Sequence, residues 1–237
     1  MQNMIDIHWA RSGSVLPPGE EFLSAEEVEK YSNFRFPQRR AEWLLGRWTA
    51  KRLLQTSVEQ LSGLSLSDWT VANEADGRPY AVLAGMRLPG CLSISHRSGQ
   101  AVCAWSSNGN IGLGIDLETI EPRTDAFIED YFTKAEQVLS RGRQRERDAV
   151  LIWSAKEAML KAMGMGLRVD TRSVEVLRIT ADEVFTDWHA LDVRSLVQPE
   201  LKWRAVWQTV TQTMLTLAVC AEQIQGKQLH IREALLY

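Results

Sequence analysis

The sequence predicts an α+β fold built as a pseudo-dimer of two similar halves, and three observations carry that expectation. Helical stretches followed by strand-like stretches occur in that order twice along the chain. Trp48-Thr49-Ala50-Lys51 is echoed 105 positions later by Trp153-Ser154-Ala155-Lys156. Ala101-Val102-Cys103-Ala104 is echoed 117 positions later by Ala218-Val219-Cys220-Ala221. One duplication with a small insertion accounts for both spacings. The expected division is an N-terminal half over residues 1–112 and a C-terminal half over 113–237, with the active site in the cleft between them, where ligand sites are favoured.

Taken in order, residues 4 to 9 alternate as a short strand, and PPGEE at 17–21 marks a turn. Ser24 is placed to cap a helix that Glu26 and Glu27 open. RRAEWLLGRWTAKRLLQ, 39 to 55, sets Trp43, Leu44, Trp48 and Leu54 along an apolar stripe and Arg40, Arg47 and Lys51 on another face. The plain reading of that basic face is a solvated one. From Trp69 the pattern becomes strands and turns: WTVANEADGRPYAV, CLSISH, AVCAWS, the hairpin-like SNGN and IGLGIDLE. A helical block runs from Thr133 to about Met163, broken around SRGRQRE at 140–146, and stops at Gly164 to Gly166. Strands return at SVEVLRI, KWRAVWQTV and MLTLAVCAE.

Composition bounds the function classes. Apolar residues make up 45% of the 237 and charged residues 24%, as in an ordinary globular protein. A formal charge of −3 and a pI near 5.9 provide no global basic field, so no nucleic-acid partner is expected and any anion site must be local. Cys91, Cys103 and Cys220 are odd in number and sit in apolar runs without ligand spacing, which argues for buried thiols in a reducing compartment. The N-terminal residues show no basic segment followed by an apolar one, and 214–221 is too short to span a bilayer. A cytoplasmic location with no membrane contact is expected. A chain carrying both halves needs no partner to complete a cleft, so a monomer is expected too.

Two stretches carry the chemistry. On a strand, GIDLE (114–118) turns Ile115 and Leu117 to one face and Asp116 and Glu118 to the other. Two adjacent carboxylates are harmless in water, but in a pocket they require a cation between them. Mg²⁺ suits such hard oxygen ligands and completes its shell with waters and phosphate oxygens. In WSAKEAMLK (153–161), Leu151, Ile152, Ala155, Ala158, Met159, Ala162 and Met163 form an apolar arc at about 100° per residue, while Trp153, Glu157 and Lys161 share a second face. On an exposed helix the Glu157–Lys161 pair would contribute only about 0.2–0.5 kcal/mol. Arg47, Lys51, Arg78, His96, Lys156 and Lys161 lie beside turns or on helix faces that can converge. Carboxylates for a metal with several cationic donors are what cleavage of a phosphoanhydride requires.

GIDLE, then FTKAE (132–136), then WSAKEAMLK resembles the signature of the 4'-phosphopantetheinyl transferases of the surfactin-synthetase-activating type. LLGRWTAKRLL, DGRPY and SISHRSGQAVCAW are similar to that family's upstream motifs in order and spacing. The resemblance implies a two-halved fold with the site between the halves. It implies that Asp116, Glu118 and Glu157 hold Mg²⁺ on the diphosphate of coenzyme A, the substrate. It places Arg47, Arg78, Ser95 and His96 toward the nucleotide end with its 3'-phosphate, and Lys156 and Lys161 along the phosphates; Lys51 is a further candidate for binding coenzyme A. The implied reaction moves the phosphopantetheine arm onto a serine of an apo acyl, peptidyl or aryl carrier protein and releases 3',5'-ADP. Glu157 is the candidate base, and Lys161 the group that stabilises the leaving phosphate. Arg141, Arg143 and Arg145 are candidates for docking an acidic carrier. A metal-dependent phosphoanhydride hydrolase and a non-catalytic coenzyme A or carrier-binding protein remain as alternatives.

Overall fold

A computed structural model describes residues 4–13, 20–58, 63–185, 187–220 and 228–236, with backbone alone at 167 and 180–185. The expected turn residues 17–19, and the residues 221–222 that end the last expected strand and complete the second echo, lie outside them. No helix among the described residues is long and apolar enough to cross a membrane.

The chain divides into two units. The first holds β1 (Met4–Ser12), α1 (Ala25–Ser32), α2 (Pro37–Ser57), β2 (Trp69–Asn73), β3 (Pro79–Leu83), β4 (Met86–Arg87), β5 (Cys91–Arg97) and β6 (Gln100–Ser106). Ser24 caps α1 as expected, within a capping box closed by Glu27. Pro37 opens α2 in the first turn, where its missing N–H costs no hydrogen bond. α2 packs on β6, β1 and β5, and its Leu53 and Leu54 join Trp69, Val71, Ala81 and Trp105 in one buried cluster.

The second unit holds β7 (Leu113–Thr119), α3 (Asp125–Tyr131), α4 (Lys134–Leu139), α5 (Arg145–Ala162), β8 (Val174–Phe185), β9 (Trp188–Ser195), β10 (Trp203–Val210) and β11 (Thr213–Cys220). Its sheet runs β7-β11-β10-β9-β8 with antiparallel neighbours throughout. α5 lies on β7 and β11. The approach is so close that a Cβ on Gly114 would stand 1.9 Å from the Ala158 carbonyl oxygen, so the first residue of GIDLE has to be glycine.

The echo of the two halves is visible in the architecture. In each unit a long helix covers three strands in which the unit's first strand pairs with the second strand of an antiparallel hairpin: β1-β6-β5 in one and β7-β11-β10 in the other. The grouping of the chain differs from two contiguous halves at its C-terminal end. The first unit runs to Asn110, and the chain returns to it after β11. The reason is β12 (Gln228–Glu233), which pairs in parallel with β1 from Met4↔Gln228 to Trp9↔Glu233 and so completes the sheet β12-β1-β6-β5.

Candidate active site

β7 and α5 together position the acidic residues. Asp116 and Glu118 project from one face of β7 as the alternation requires, yet that face is covered by α5, and the two are only 3% and 6% exposed. Ile115 and Leu117 on the opposite face are buried as well. Asp116 Oδ2 accepts from Ser154 Oγ at 2.9 Å, and Asp116 Oδ1 accepts from Lys161 Nζ at 2.6 Å. Lys161 also donates to the Ile115 carbonyl at 3.2 Å. Glu118 Oε1 accepts from Trp153 Nε1 at 3.1 Å, and Glu118 Oε2 from Arg123 Nη2 at 2.7 Å.

Glu157, one turn along α5 from Trp153, is in a different state. Its Oε1 is buried and has no hydrogen-bond partner among the described residues. Burial pushes its carboxyl up to about 7, with Lys161 opposing the rise and Asp116 and Glu118 adding to it. A buried carboxylate oxygen without a donor requires either a proton or a cation.

The fit to Mg²⁺ can be judged from this donor set. Three hard carboxylates, one of them with an orphaned oxygen, are the chemistry that Mg²⁺ takes. As they stand, no three His, Cys, Asp or Glu groups among the described residues are close enough to share one ion. Asp116 is drawn to Lys161 and Glu118 to Arg123, so gathering the three on one ion requires those two cations to yield.

Two expected phosphate ligands have a different role. Lys156 is 1% exposed and directs its ammonium to Glu136 Oε2 at 2.7 Å and to the carbonyls of Thr171 and Val174 at 3.0 and 2.6 Å. Lys51, fully buried, does the same with Glu27 and the carbonyls of Phe22 and Leu66. All three ammonium hydrogens are committed in each case. Lys51 and Lys156 are therefore corrected from cofactor ligands to internal ties.

The remaining expected residues lie in the first unit. Arg47 is 6% exposed, with its guanidinium carbon 4.8 Å from the Trp43 ring centre and Nη2 donating to Asn73 Oδ1 at 3.0 Å. Arg47 and Lys51 are thus not solvated, whereas Arg40 on the same face has a side chain 41% exposed and pairs with Glu20. Ser95 is buried on β5, and the next residue, His96, is exposed with Nδ1 3.7 Å from Glu42 Oε2. Arg78 is exposed and bonded to Asp76 at 2.7 Å. Arg141, Arg143 and Arg145 are all exposed, and Arg145 pairs with Asp125.

Sequence reasoning missed Arg123 and the helix α3 that follows it. The signals were present in Pro122 and in Thr124, whose side chain caps α3 by accepting from Phe127 N. Phe127 and Tyr131 of α3 pack edge-on against Trp153. With Asp170 and Arg172 these three rings line a cavity of about 500 Å³, and of its lining Trp153 is the residue that donates to Glu118.

Residues 112–208 match the model of the 4'-phosphopantetheinyl transferase superfamily. Over 153 residues the chain is 30% identical to the 4'-phosphopantetheinyl transferase HetI of Nostoc sp., covering 61% of each protein. Over 85 residues it is 35% identical to the holo-[acyl-carrier-protein] synthase of Lactococcus lactis subsp. cremoris, covering 35% of this chain and 71% of that one. Over 159 residues it is 27% identical to the 4'-phosphopantetheinyl transferase Sfp of Bacillus subtilis, covering 65% of this chain and 66% of that one. The matched part thus falls short of two thirds of the length of both 4'-phosphopantetheinyl transferases.

Proposed function

Because this chain belongs to the 4'-phosphopantetheinyl transferase superfamily, we propose that it moves the 4'-phosphopantetheine arm of coenzyme A onto a serine of an apo acyl, peptidyl or aryl carrier protein. The serine oxygen attacks the phosphorus that bears pantetheine, the phosphoanhydride P–O bond breaks, and 3',5'-ADP leaves. The observation that carries the reading is the buried pair Asp116 and Glu118 on β7 facing the half-buried Glu157 and Lys161 of α5, and the unpartnered oxygen of Glu157 in particular.

Asp116, Glu118 and Glu157 would hold Mg²⁺. When bound, it supplies charge neutralisation on the diphosphate. Lys161 sits on Asp116 and is one turn of α5 from Glu157, a position from which its ammonium can serve the leaving phosphate. Glu157, whose Oε1 has no donor among the described residues, is the candidate to accept the serine proton. Arg47, Arg78, Ser95 and His96 are assigned to the nucleotide end. The rate gain rests on positioning and charge, since little covalent chemistry falls to the protein.

Intact-mass analysis of a carrier incubated with the protein, coenzyme A and Mg²⁺ tests the reading. One phosphopantetheine increment is expected, lost when the acceptor serine is changed to alanine or EDTA is added. Acyl, peptidyl and aryl carriers that all stay unmodified would overturn it. Coenzyme A cleaved without an acceptor would then mark a hydrolase, and coenzyme A bound but intact a binding protein.

A further inference from the structure

We infer that Arg123 is a positioning residue that acts as the counter-ion of Glu118 and sets how tightly the carboxylate trio takes a divalent cation, an inference that rests on the metal-dependent reading above. Arg123 belongs to none of the motifs that carry the family resemblance. Its side chain is 11% exposed, with Nη2 on Glu118 Oε2 and Nη1 on Glu121 Oε1, each at 2.7 Å. The guanidinium carbon lies 5.5 Å from the Phe127 ring centre, and Nε is buried without a hydrogen-bond partner among the described residues.

The two named donors to Glu118 differ in kind. Trp153 holds Oε1 with a neutral N–H, which orients the carboxylate and leaves its charge intact. Arg123 holds Oε2 with a cation that no accessible pH deprotonates. A dication arriving at Glu118 therefore meets a fixed positive charge across a single carboxylate. Even with water-like screening, a repulsion of that kind weakens binding about tenfold.

Lys161 stands in the same relation to Asp116, so two cations offset three carboxylates before any metal arrives. Phosphate groups entering the site give Arg123 and Lys161 new partners and release Glu118 and Asp116. The dication and the diphosphate thereby assist one another, and by linkage the assistance is mutual. Arg123 is the residue of this pair that the reaction itself does not require.

The test uses Mn²⁺ as the probe, with free ion read by electron paramagnetic resonance on the whole protein with and without coenzyme A. Wild type is expected to bind Mn²⁺ weakly alone and more tightly with coenzyme A. Arg123→Gln should bind about tenfold more tightly alone, with a smaller gain from coenzyme A, and Arg123→Lys should restore behaviour close to wild type. Glu121→Gln leaves Arg123 wholly to Glu118 and should weaken Mn²⁺ binding; this exposed change also serves if Arg123→Gln does not fold. Wild-type Mn²⁺ affinity and wild-type coupling in folded Arg123→Gln, or in Glu121→Gln when the former is unfolded, would overturn the inference and leave the transferase reading standing. No Mn²⁺ binding by wild type in either condition would instead remove the metal-dependent reading, and this inference with it.

Discussion

Glu157 is the residue at which stability and chemistry pull in opposite directions. Its buried oxygen without a donor costs the fold something in the absence of metal, whereas Asp116 and Glu118 each have named partners. Glu157→Gln is therefore expected to unfold at a higher temperature than wild type in EDTA, by the equivalent of about 1 kcal/mol or more, and to have lost transfer activity. Calorimetry beside the mass assay checks both halves of the statement. Asp116→Ala is expected to abolish turnover with the circular dichroism spectrum retained. Near-normal activity at ordinary Mg²⁺ in this variant would remove Asp116 from the site. The carboxylates were legible in the sequence because strand alternation and helical periodicity each put them on one face. Arg123 was not, because what defines it is a partner five residues back, on a strand that has already ended at Thr119.

At the scale of elements, α5 is fixed by a tie that repeats in α2. Glu136 closes a capping box at Thr133, accepts from Val176 N at 2.8 Å and receives Lys156. Glu27 closes a capping box at Ser24, accepts from Val71 N at 2.9 Å and receives Lys51. Each tie therefore joins a short helix, a long helix and a strand. Breaking one half of such a pair strands a buried charge, so Lys156→Met is expected to cost about 3–5 kcal/mol, with much of it recovered by adding Glu136→Gln. The pH dependence has a definite sign. Burial raises the Glu136 carboxyl above its ordinary range, against the pull of Lys156. Without Lys156 the folded value lies higher still, so the stability it confers is full below about 4.3, the unfolded value, and is lost as pH rises toward the folded one. Denaturation of Lys156→Met should thus show more stability at pH 5 than at pH 8. The helices themselves were legible from caps and periodicity. The role of Lys51 and Lys156 was not, because spacing puts a lysine on a helix face without saying what covers that face.

The whole molecule keeps the scaffold of its repeat while confining the acidic site to one copy. At the 105-residue spacing, Ser154 corresponds to Thr49, which bonds Ser12 Oγ at 2.9 Å where Ser154 bonds Asp116. Glu157 and Lys161 correspond to Arg52 and Thr56. The shared scaffold predicts that Lys51→Met destabilises by about as much as Lys156→Met. The two halves were legible because the tetrapeptides that echo are scaffold. The return of β12 to the first sheet was not, since nothing local in QLHIRE says that it pairs with a strand more than two hundred residues earlier. A partner test belongs at this scale as well. If Arg141, Arg143 and Arg145 dock an acidic carrier, replacing all three with glutamine should raise KM for the carrier severalfold and flatten its dependence on salt, since exposed charges are screened over about 8–10 Å. The pairing of β12 with β1 also imposes an order on biosynthesis. At about 5–20 residues per second on the ribosome, β1 emerges roughly ten to forty seconds before the strand that covers its outer edge. Throughout that interval the nascent N-terminal sheet offers an open edge of the kind chaperones shield.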